Sequence, residues 1–434
     1  MRRPLASLAA AAVAAAALLA ASPAAASPAI RYGVQDDAWI AYGSGGSLAD
    51  RLAALDTLGV DVVRYTLRWN EVARTRPANA RDPEDPAYDW TLPDEILRGL
   101  AAHGIAPLVT IWGTPGWANG GRTANWAPST ASDFADFAYA AASRYRFVTR
   151  WTIWNEPNQR ISLRPTVPAT YVRTLLNPGY AAIKEADPRA SVAGGVTAPR
   201  GNVGGVAPLD WIRGMAAAGA RLDVYAHNPY PLNPGAETPT SGGCDHCATA
   251  TMATLGRLIA TVRRDLHVDR IWLTEYGYQT NPPDDLLGVS PALQARYEGE
   301  AALRAWRAPG VEILIHFMVR DDGADAQGGT GYWQSGLEWA NGKRKPAWNA
   351  FALPLAEDGR AGARTTLWGQ VRPRSGPQPY VLQVRRGGSW VALGGARTTG
   401  PGGTFRISVD AARGMLVRLW SPRDSLASPP LVVS

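Results

Sequence analysis

Two glutamates stand directly behind apolar segments of the sequence. Glu156 closes the segment W-T-I-W-N-E, and Glu275 closes the segment I-W-L-T-E. A carboxylate at the end of a buried run costs free energy unless pairing or function holds it there. Two such carboxylates facing each other across one cleft would suit glycoside cleavage, in which one protonates the leaving oxygen and the other attacks the anomeric carbon.

The elements that must position these glutamates follow a regular alternation. Between residues 30 and 352, short apolar runs alternate with helical patterns of about 10–15 residues, which is typical of βα units. Eight such units predict a (β/α)8 TIM barrel, with Glu156 ending the fourth strand and Glu275 the seventh. An open doubly wound sheet is the alternative, but no G-x-G-x-x-G follows the first strand. The predicted strands are 30–39, 60–65, 105–111, 148–154, 191–197, 222–225, 270–273 and 311–319.

The sequence changes character after Leu355. Residues 356–366 are polar and contain glycine, which predicts a linker, and residues 367–434 alternate apolar and polar positions around glycine turns. We therefore predict a barrel domain over 27–355 and a small antiparallel all-β domain, sandwich-like, over 367–434. This domain either packs against the barrel, which we favour, or binds carbohydrate.

The first 26 residues predict a secretory signal. Arg2 and Arg3 precede an Ala/Leu run that ends in the small residues Ala24–Ala26. An uncleaved membrane anchor is the alternative, but the run is short for a membrane span. We expect a secreted, extracellular protein that has no membrane contact after cleavage.

Charge is distributed unevenly along the chain. The whole sequence carries +7, yet residues 361–434 contain ten arginines, no lysine and only Asp410 and Asp424 as acids. A basic module of this kind either keeps a small β domain solvated, which we favour, or contacts anionic polysaccharide or cell wall. We expect no nucleic-acid partner.

The segments around the two glutamates carry a family resemblance. W-N-E-P-N at Trp154–Asn158, together with T-E-Y-G at Thr274–Gly277, resembles clan A glycoside hydrolases, especially families 39 and 5. That resemblance implies a (β/α)8 barrel, hydrolysis with retention of configuration, Glu156 as acid/base and Glu275 as nucleophile. It implies a carbohydrate substrate and covers about residues 30–352.

The same resemblance suggests the residues that surround the reaction. Asn155 matches the asparagine that hydrogen-bonds the sugar 2-hydroxyl, and Arg64 ends the second strand, where the family places an arginine against the nucleophile. His227 and Tyr230 match a polar pair on the sixth strand. From the residues alone we favour these site roles, and the alternatives are that Arg64 is a salt-bridge partner in the barrel core and that His227 is a satisfied polar residue at a strand end.

Tryptophans are the candidate platforms for sugar stacking. Trp112 and Trp117 follow the third strand, although packing would explain either of them almost as well. Relatives often carry a tryptophan on the eighth strand. This chain has Phe317 there, so either Phe317 or the later Trp333 replaces the tryptophan, or the stacking platform is absent.

The two cysteines, Cys244 and Cys247, are the only ones in the chain. A C-x-x-C pair can be redox-active or half of a zinc site, but no second pair or H-x₃-H accompanies it. Outside the cell we favour a local disulfide. We expect no metal and no organic cofactor.

Three functions are compatible with these residues. A secreted hydrolase that cleaves β-linked oligo- or polysaccharides is the favoured one, because both glutamates end strands. A catalytically silent glycan-binding or adhesion protein is the second, and a transglycosylase with the same site is the third.

Overall fold

The computed structural model describes residues 29–43, 46–323 and 333–434. They form a closed barrel of eight parallel strands, followed by antiparallel sheets, as the sequence predicts. The predicted signal, residues 1–26, lies outside the described residues. Among those residues, no helix has the length and apolar character needed to cross a bilayer.

Eight strands pair in sequence order, and β8 pairs with β1 to close the barrel. Each is almost wholly buried, because helices cover the outside of the barrel and side chains fill its interior. The barrel strands are β1 Arg31–Gln35, β2 Val62–Arg68, β3 Ala106–Trp112, β4 Arg150–Ile153, β5 Ser191–Thr197, β6 Val224–His227, β7 Ile271–Tyr276 and β8 Val311–Phe317.

Helices follow the strands, and a π-helical turn at Val172–Leu176 joins two of them. The α-helices are α1 Asp37–Tyr42, α2 Leu48–Leu58, α3 Trp69–Val72, α4 Thr91–Ala102, α5 Gly116–Asn119, α6 Ala131–Arg144, α7 Pro168–Tyr171, α8 Asn177–Ala186, α9 Pro208–Ala217, α10 Leu255–Leu266, α11 Pro291–Arg307 and α12 Pro346–Ala352.

The first strand is shorter than predicted. The apolar run to Trp39 suggests one strand, but Asp36 ends it, because its carboxylate accepts the backbone N–H of Trp39 at 2.9 Å and caps α1. The same carboxylate also accepts the backbone N–H groups of Val319 and Arg320, each at 3.1 Å. Asp36 therefore joins the carboxyl ends of β1 and β8.

The barrel interior is a small apolar core that supports the site. Alternate residues of a strand face the same side, so Arg64 points into the barrel together with Val62. The interior apolar residues are Val62, Leu108, Ala193, Val196, Val224, Ala226, Trp272, Ile313 and Ile315.

The predicted linker is part of a β-hairpin instead. Residues 356–366 fall in β9 Leu355–Ala361 and β10 Arg364–Gln370, which form a hairpin. Asp358 explains the error, because this polar residue has a buried carboxylate that pairs with Arg307 of α11 and Arg406. A polar segment thus becomes ordered by docking onto the barrel.

The C-terminal domain contains two antiparallel sheets. One has the order β14-β10-β9, and the other has β12-β11-β15-β16 with β13 and β17 attached. The remaining strands are β11 Pro379–Arg386, β12 Ser389–Ala392, β13 Arg397–Thr398, β14 Thr404–Asp410, β15 Leu416–Ser421, β16 Leu426–Ala427 and β17 Leu431–Val432.

One arginine of the basic module is buried between the two domains. The guanidinium of Arg372 lies 3.7 Å from the ring centroid of Tyr32 on β1, and the Arg372 side chain is also close to Phe351. A Cβ on Gly59 would approach the backbone of Arg372 to 2.2 Å, so only glycine allows this contact. These contacts favour the packing role for the module, and polysaccharide contact remains a prediction.

Candidate active site

Arg64 is the centre of the site. Its side chain is completely buried, and one terminal nitrogen, Nη1, donates to Oε1 of Glu275 at 2.5 Å and to Gln35 at 2.5 Å. The other, Nη2, donates to Oδ1 of Asn155 at 2.8 Å, and Nε donates to Thr110 at 2.9 Å. The Arg64 guanidinium therefore binds side chains from four other strands or strand ends.

Glu275 has a partner on each oxygen. Besides the Arg64 contact at Oε1, its Oε2 accepts a hydrogen bond from the Tyr230 hydroxyl at 3.2 Å. The residue is only 7 % exposed. The position of this buried carboxylate is therefore set from two sides, by a guanidinium and by a hydroxyl.

Glu156 occupies a strained turn after β4. Its φ is 44°, Trp154 two residues earlier has a φ of 71°, and the Glu156 N–H donates to the Val196 carbonyl at 2.9 Å. A non-glycine residue in this region costs on the order of 1–3 kcal/mol, which the surrounding structure must offset. The turn leaves the Glu156 side chain partly exposed, unlike Glu275.

Asn228 connects the two glutamate segments. Its Nδ2 donates to Oε1 of Glu156 at 3.0 Å, and its Oδ1 accepts from the hydroxyl of Thr274 at 2.7 Å. Thr274 directly precedes Glu275. Asn228 was not among the site residues predicted from the sequence, although it stands in the segment A-H-N-P-Y at the end of β6.

The electrostatics of the two carboxyl groups differ. Burial and then the negative charge of Glu275 raise the pKa of Glu156 to about 7, whereas the Asn228 hydrogen bond and Arg64 oppose the rise. Glu156 therefore holds a proton in weakly acidic solution while Glu275 is paired with Arg64. One carboxylic acid beside one carboxylate is the arrangement that combined acid and nucleophilic catalysis requires.

His227 does not belong to this group. It follows Tyr225 by two positions and so shares the outer face of β6 with that residue. Its ring nitrogens lie 2.9 Å from the Thr197 hydroxyl and 3.1 Å from the Ala250 carbonyl, and burial lowers its pKa to about 4. The predicted polar pair is corrected accordingly: Asn228 and Tyr230 contact the glutamates, and His227 is a satisfied neutral residue.

Trp333 lies beside the nucleophile candidate. Its ring centroid is 5.3 Å from that of Tyr230 and 5.7 Å from that of Phe317, and the residue is 37 % exposed. An exposed indole next to the Tyr230 ring offers a flat apolar face at the edge of the site.

The other two tryptophans differ from each other. Trp112 is partly exposed and tilts against Trp154, with ring centroids 5.7 Å apart, close to the strained turn of Glu156. Trp117 donates its Nε1 to the Ala73 carbonyl at 2.7 Å and meets the ring of Trp69 edge-on. Trp112 remains a stacking candidate, whereas the contacts of Trp117 are those of packing.

A buried ion pair fastens the segment that carries Trp333. Lys345 is 2 % exposed, and its Nζ donates to Asp321 at 2.7 Å, to the Thr280 hydroxyl at 2.9 Å and to the Gln334 carbonyl at 2.9 Å. Lys345 thus ties the residue next to Trp333 to the loops after β7 and β8. This ion pair was not among the features predicted from the sequence.

We expect Lys345→Met to lower the free energy of unfolding by about 3–5 kcal/mol, because it leaves the Asp321 carboxylate buried without its cation. The double variant Lys345→Met/Asp321→Leu should recover most of this loss. Urea denaturation measures both. Lys343→Met, at an exposed position two residues earlier, is the control. It should change the free energy of unfolding by less than about 0.5 kcal/mol. An unchanged urea midpoint for Lys345→Met would contradict the anchor role.

Cys244 and Cys247 form the predicted disulfide. Their sulfurs are therefore bonded to each other, and His246 between them has no thiolate neighbour with which to bind a metal.

The chain resembles solved glycoside hydrolase structures, although its sequence matches no protein-family model and no curated protein. A family 39 glycoside hydrolase from Bacteroides cellulosilyticus WH2 superposes with a TM-score of 0.59 at 17 % identity, over 88 % of this chain and 81 % of that one. A β-xylosidase from Caulobacter crescentus CB15 superposes with a TM-score of 0.58 at 17 % identity, over 90 % of this chain and 95 % of that one. A glucosidase from Croceicoccus marinus superposes with a TM-score of 0.59 at 14 % identity, over 89 % of this chain and 94 % of that one.

At this level of identity the likeness establishes the fold. The barrel with its C-terminal β domain is the architecture found in clan A glycoside hydrolases of family 39, in agreement with the resemblance of the two glutamate segments.

Proposed function

We propose that this protein is a secreted glycoside hydrolase that cleaves β-linked oligo- or polysaccharides with retention of configuration. The observation that carries the proposal is the contrast between two neighbouring carboxyl groups. Glu275 is paired with Arg64 and Tyr230, while the pKa of Glu156 is raised to about 7. The fold shared with family 39 enzymes supports the same class of reaction.

In the first step, Glu275 attacks the anomeric carbon and forms a glycosyl ester. The bond from that carbon to the leaving oxygen breaks, and Glu156 gives its proton to the leaving oxygen. Arg64 and Tyr230 hold the attacking carboxylate in place, so little reorganisation is needed at the moment of reaction.

In the second step, the roles of Glu156 reverse. Ester formation removes the negative charge of Glu275, which is one of the causes of the raised pKa of Glu156. The acid therefore loses its proton more readily once the intermediate exists, and it accepts a proton from the water that attacks the anomeric carbon.

Asn155 is the proposed contact to the sugar next to the nucleophile. Its side-chain oxygen is occupied by Arg64, whereas its amide nitrogen has no hydrogen-bond partner within the described part of the chain. The nitrogen is therefore free to donate to a sugar hydroxyl. Tyr230, Trp333 and Trp112 are the proposed remaining contacts to substrate.

The stereochemistry of the product tests this proposal. We expect the purified protein to hydrolyse at least one member of a panel of aryl β-glycosides that covers xylose, glucose, galactose, mannose and N-acetylglucosamine. Proton NMR during the first minutes should show the β-anomer as the first sugar released, because two displacements restore the configuration. Initial release of the α-anomer would indicate single displacement. Absence of turnover across the panel would favour a silent glycan-binding protein, and growth of longer products would indicate transglycosylation.

A further inference from the structure

A separate cavity of about 330 Å³ lies at the rim of the barrel, outside β2. It is bounded by α1, by the end of β2 with α3, and by the first turn of α4. Its lining includes Asp37, Ala41, Tyr65, Arg68 and Glu95. The volume falls at the lower end of the range typical of small-molecule sites and is large enough for a sugar ring with its hydration.

Tyr65 contributes a polar group to the lining of this cavity. The residue is 4 % exposed and is part of the apolar layer between strands and helices. Its hydroxyl nevertheless has no hydrogen-bond partner among the residues that the structure describes. The hydroxyl is not sealed inside the protein and lines the cavity, so a ligand hydroxyl that reached it would form a hydrogen bond there.

The charges around the cavity disfavour anionic ligands. Four carboxylates line it against two guanidinium groups, so the lining is net negative and disfavours anions. The carboxylate of Asp37 uses one oxygen to accept the Thr66 N–H at 3.0 Å, which leaves its second oxygen available to accept from a ligand. The ring of Tyr42, 64 % exposed at the mouth, offers a stacking face. Hydrogen-bond acceptors beside an aromatic face suit a neutral, hydroxyl-rich ring.

Side-chain contacts lead from the lining of the cavity toward the candidate active site. The guanidinium of Arg68, which lines the cavity, lies 5.6 Å from the ring centroid of Trp112. Trp112 in turn packs against Trp154, two residues before Glu156. A sugar held in the cavity would therefore lie on the Trp112 side of the barrel mouth.

We propose that this cavity is a second saccharide-binding site, which takes a neutral sugar unit of a glycan chain apart from the Glu156–Glu275 pair. The site does not depend on catalysis, and it would hold a polymer at the barrel rim beside the reaction centre.

The test measures binding of defined oligosaccharides by isothermal calorimetry in the Glu275→Gln background, so that no probe is cleaved. The probes are xylohexaose, cellohexaose, mannohexaose and chitohexaose, with hexagalacturonate as the anionic comparison. Ala41→Trp fills the cavity, and Tyr65→Phe removes only the hydroxyl. Ala53→Trp, the same substitution at an exposed position of α2, is the matched control.

We expect at least one neutral hexasaccharide to bind about fivefold more weakly to Tyr65→Phe, and at least tenfold more weakly to Ala41→Trp, than to the control. Hexagalacturonate should show no such dependence. The proposal is overturned if no neutral hexasaccharide binds, if all bind equally to Ala41→Trp and Ala53→Trp, or if only hexagalacturonate responds. A single-sugar aryl glycoside, assayed with Ala41→Trp in the otherwise unchanged chain, separates failure of this site from failure of the proposed catalysis.

Discussion

Replacement of Glu275 by glutamine is expected to lower kcat/KM for an aryl β-glycoside by about 10⁵-fold, as for removal of an essential nucleophile. The amide retains the shape of the side chain and a contact for Tyr230, but it cannot attack the anomeric carbon. Initial-rate assays measure the loss, and circular dichroism checks that the barrel is intact. Activity above about one per cent of the parent would mean that another group attacks the sugar.

A control separates this effect from the loss of a carboxylate charge in an ion pair. Glu312 pairs with Arg270 at 2.7 Å near the amino ends of β7 and β8, at the opposite end of the barrel from the site. Glu312→Gln therefore removes one carboxylate from an ion pair without touching the proposed chemistry. We expect its kcat/KM to stay within about twofold of the parent value.

In addition, a fluorinated sugar that slows breakdown of the ester should label Glu275 in the parent chain, and mass spectrometry of peptides would locate the label.

Replacement of Glu156 by glutamine is expected to have an effect that depends on the leaving group. For alkyl glycosides, which need a proton on the departing oxygen, we predict a loss of about 10³-fold in kcat/KM, the range typical of general acid catalysis. For dinitrophenyl glycosides, whose leaving group departs without a proton, the loss in kcat/KM should be less than about tenfold. Equal losses for both classes would contradict the assignment of Glu156 as acid.

The pH dependence provides an independent reading of the same residue. Because the acid must be protonated and its pKa is raised to about 7, kcat/KM should fall tenfold per pH unit above pH 7 and be level just below it. The fall should vanish in Glu156→Gln. In Asn228→Ala it should move to higher pH, since the lost hydrogen bond favours the ionised form. An unchanged pH profile of kcat/KM in Glu156→Gln would mean that another group causes the fall above pH 7.

The barrel was predictable because its signal is local. Parallel strands buried on both faces are continuously apolar, and all eight of them appear at or near the predicted positions. The two glutamates were selected for the same reason, because a carboxylate behind an apolar run marks the carboxyl end of a strand. The structure brings both segments together, with Asn228 bonded to Glu156 and to Thr274 beside Glu275.

The errors arise where the outcome depends on contacts between distant segments. His227 and Asn228 are adjacent in sequence, and only the pleat of β6 decides that the first faces the helices while the second meets Glu156. The polar segment 356–366 lies in a β-hairpin because its Asp358 pairs with Arg307 on α11 and with Arg406 on β14. No pattern within either segment records these partners.

The sequence by itself determined the order of strands and helices, the placement of the two glutamates at strand ends and the pairing of the cysteines, since each of these depends on composition and spacing along the chain. Only the tertiary structure decided that Arg64 bonds Glu275, Asn155 and Gln35 together, and that Lys345 fastens the segment beside Trp333. Only it created the cavity beside Tyr65. The physical reason is that hydrogen bonds and ion pairs of this kind form between groups tens to hundreds of residues apart, and their geometry exists only after the barrel has closed.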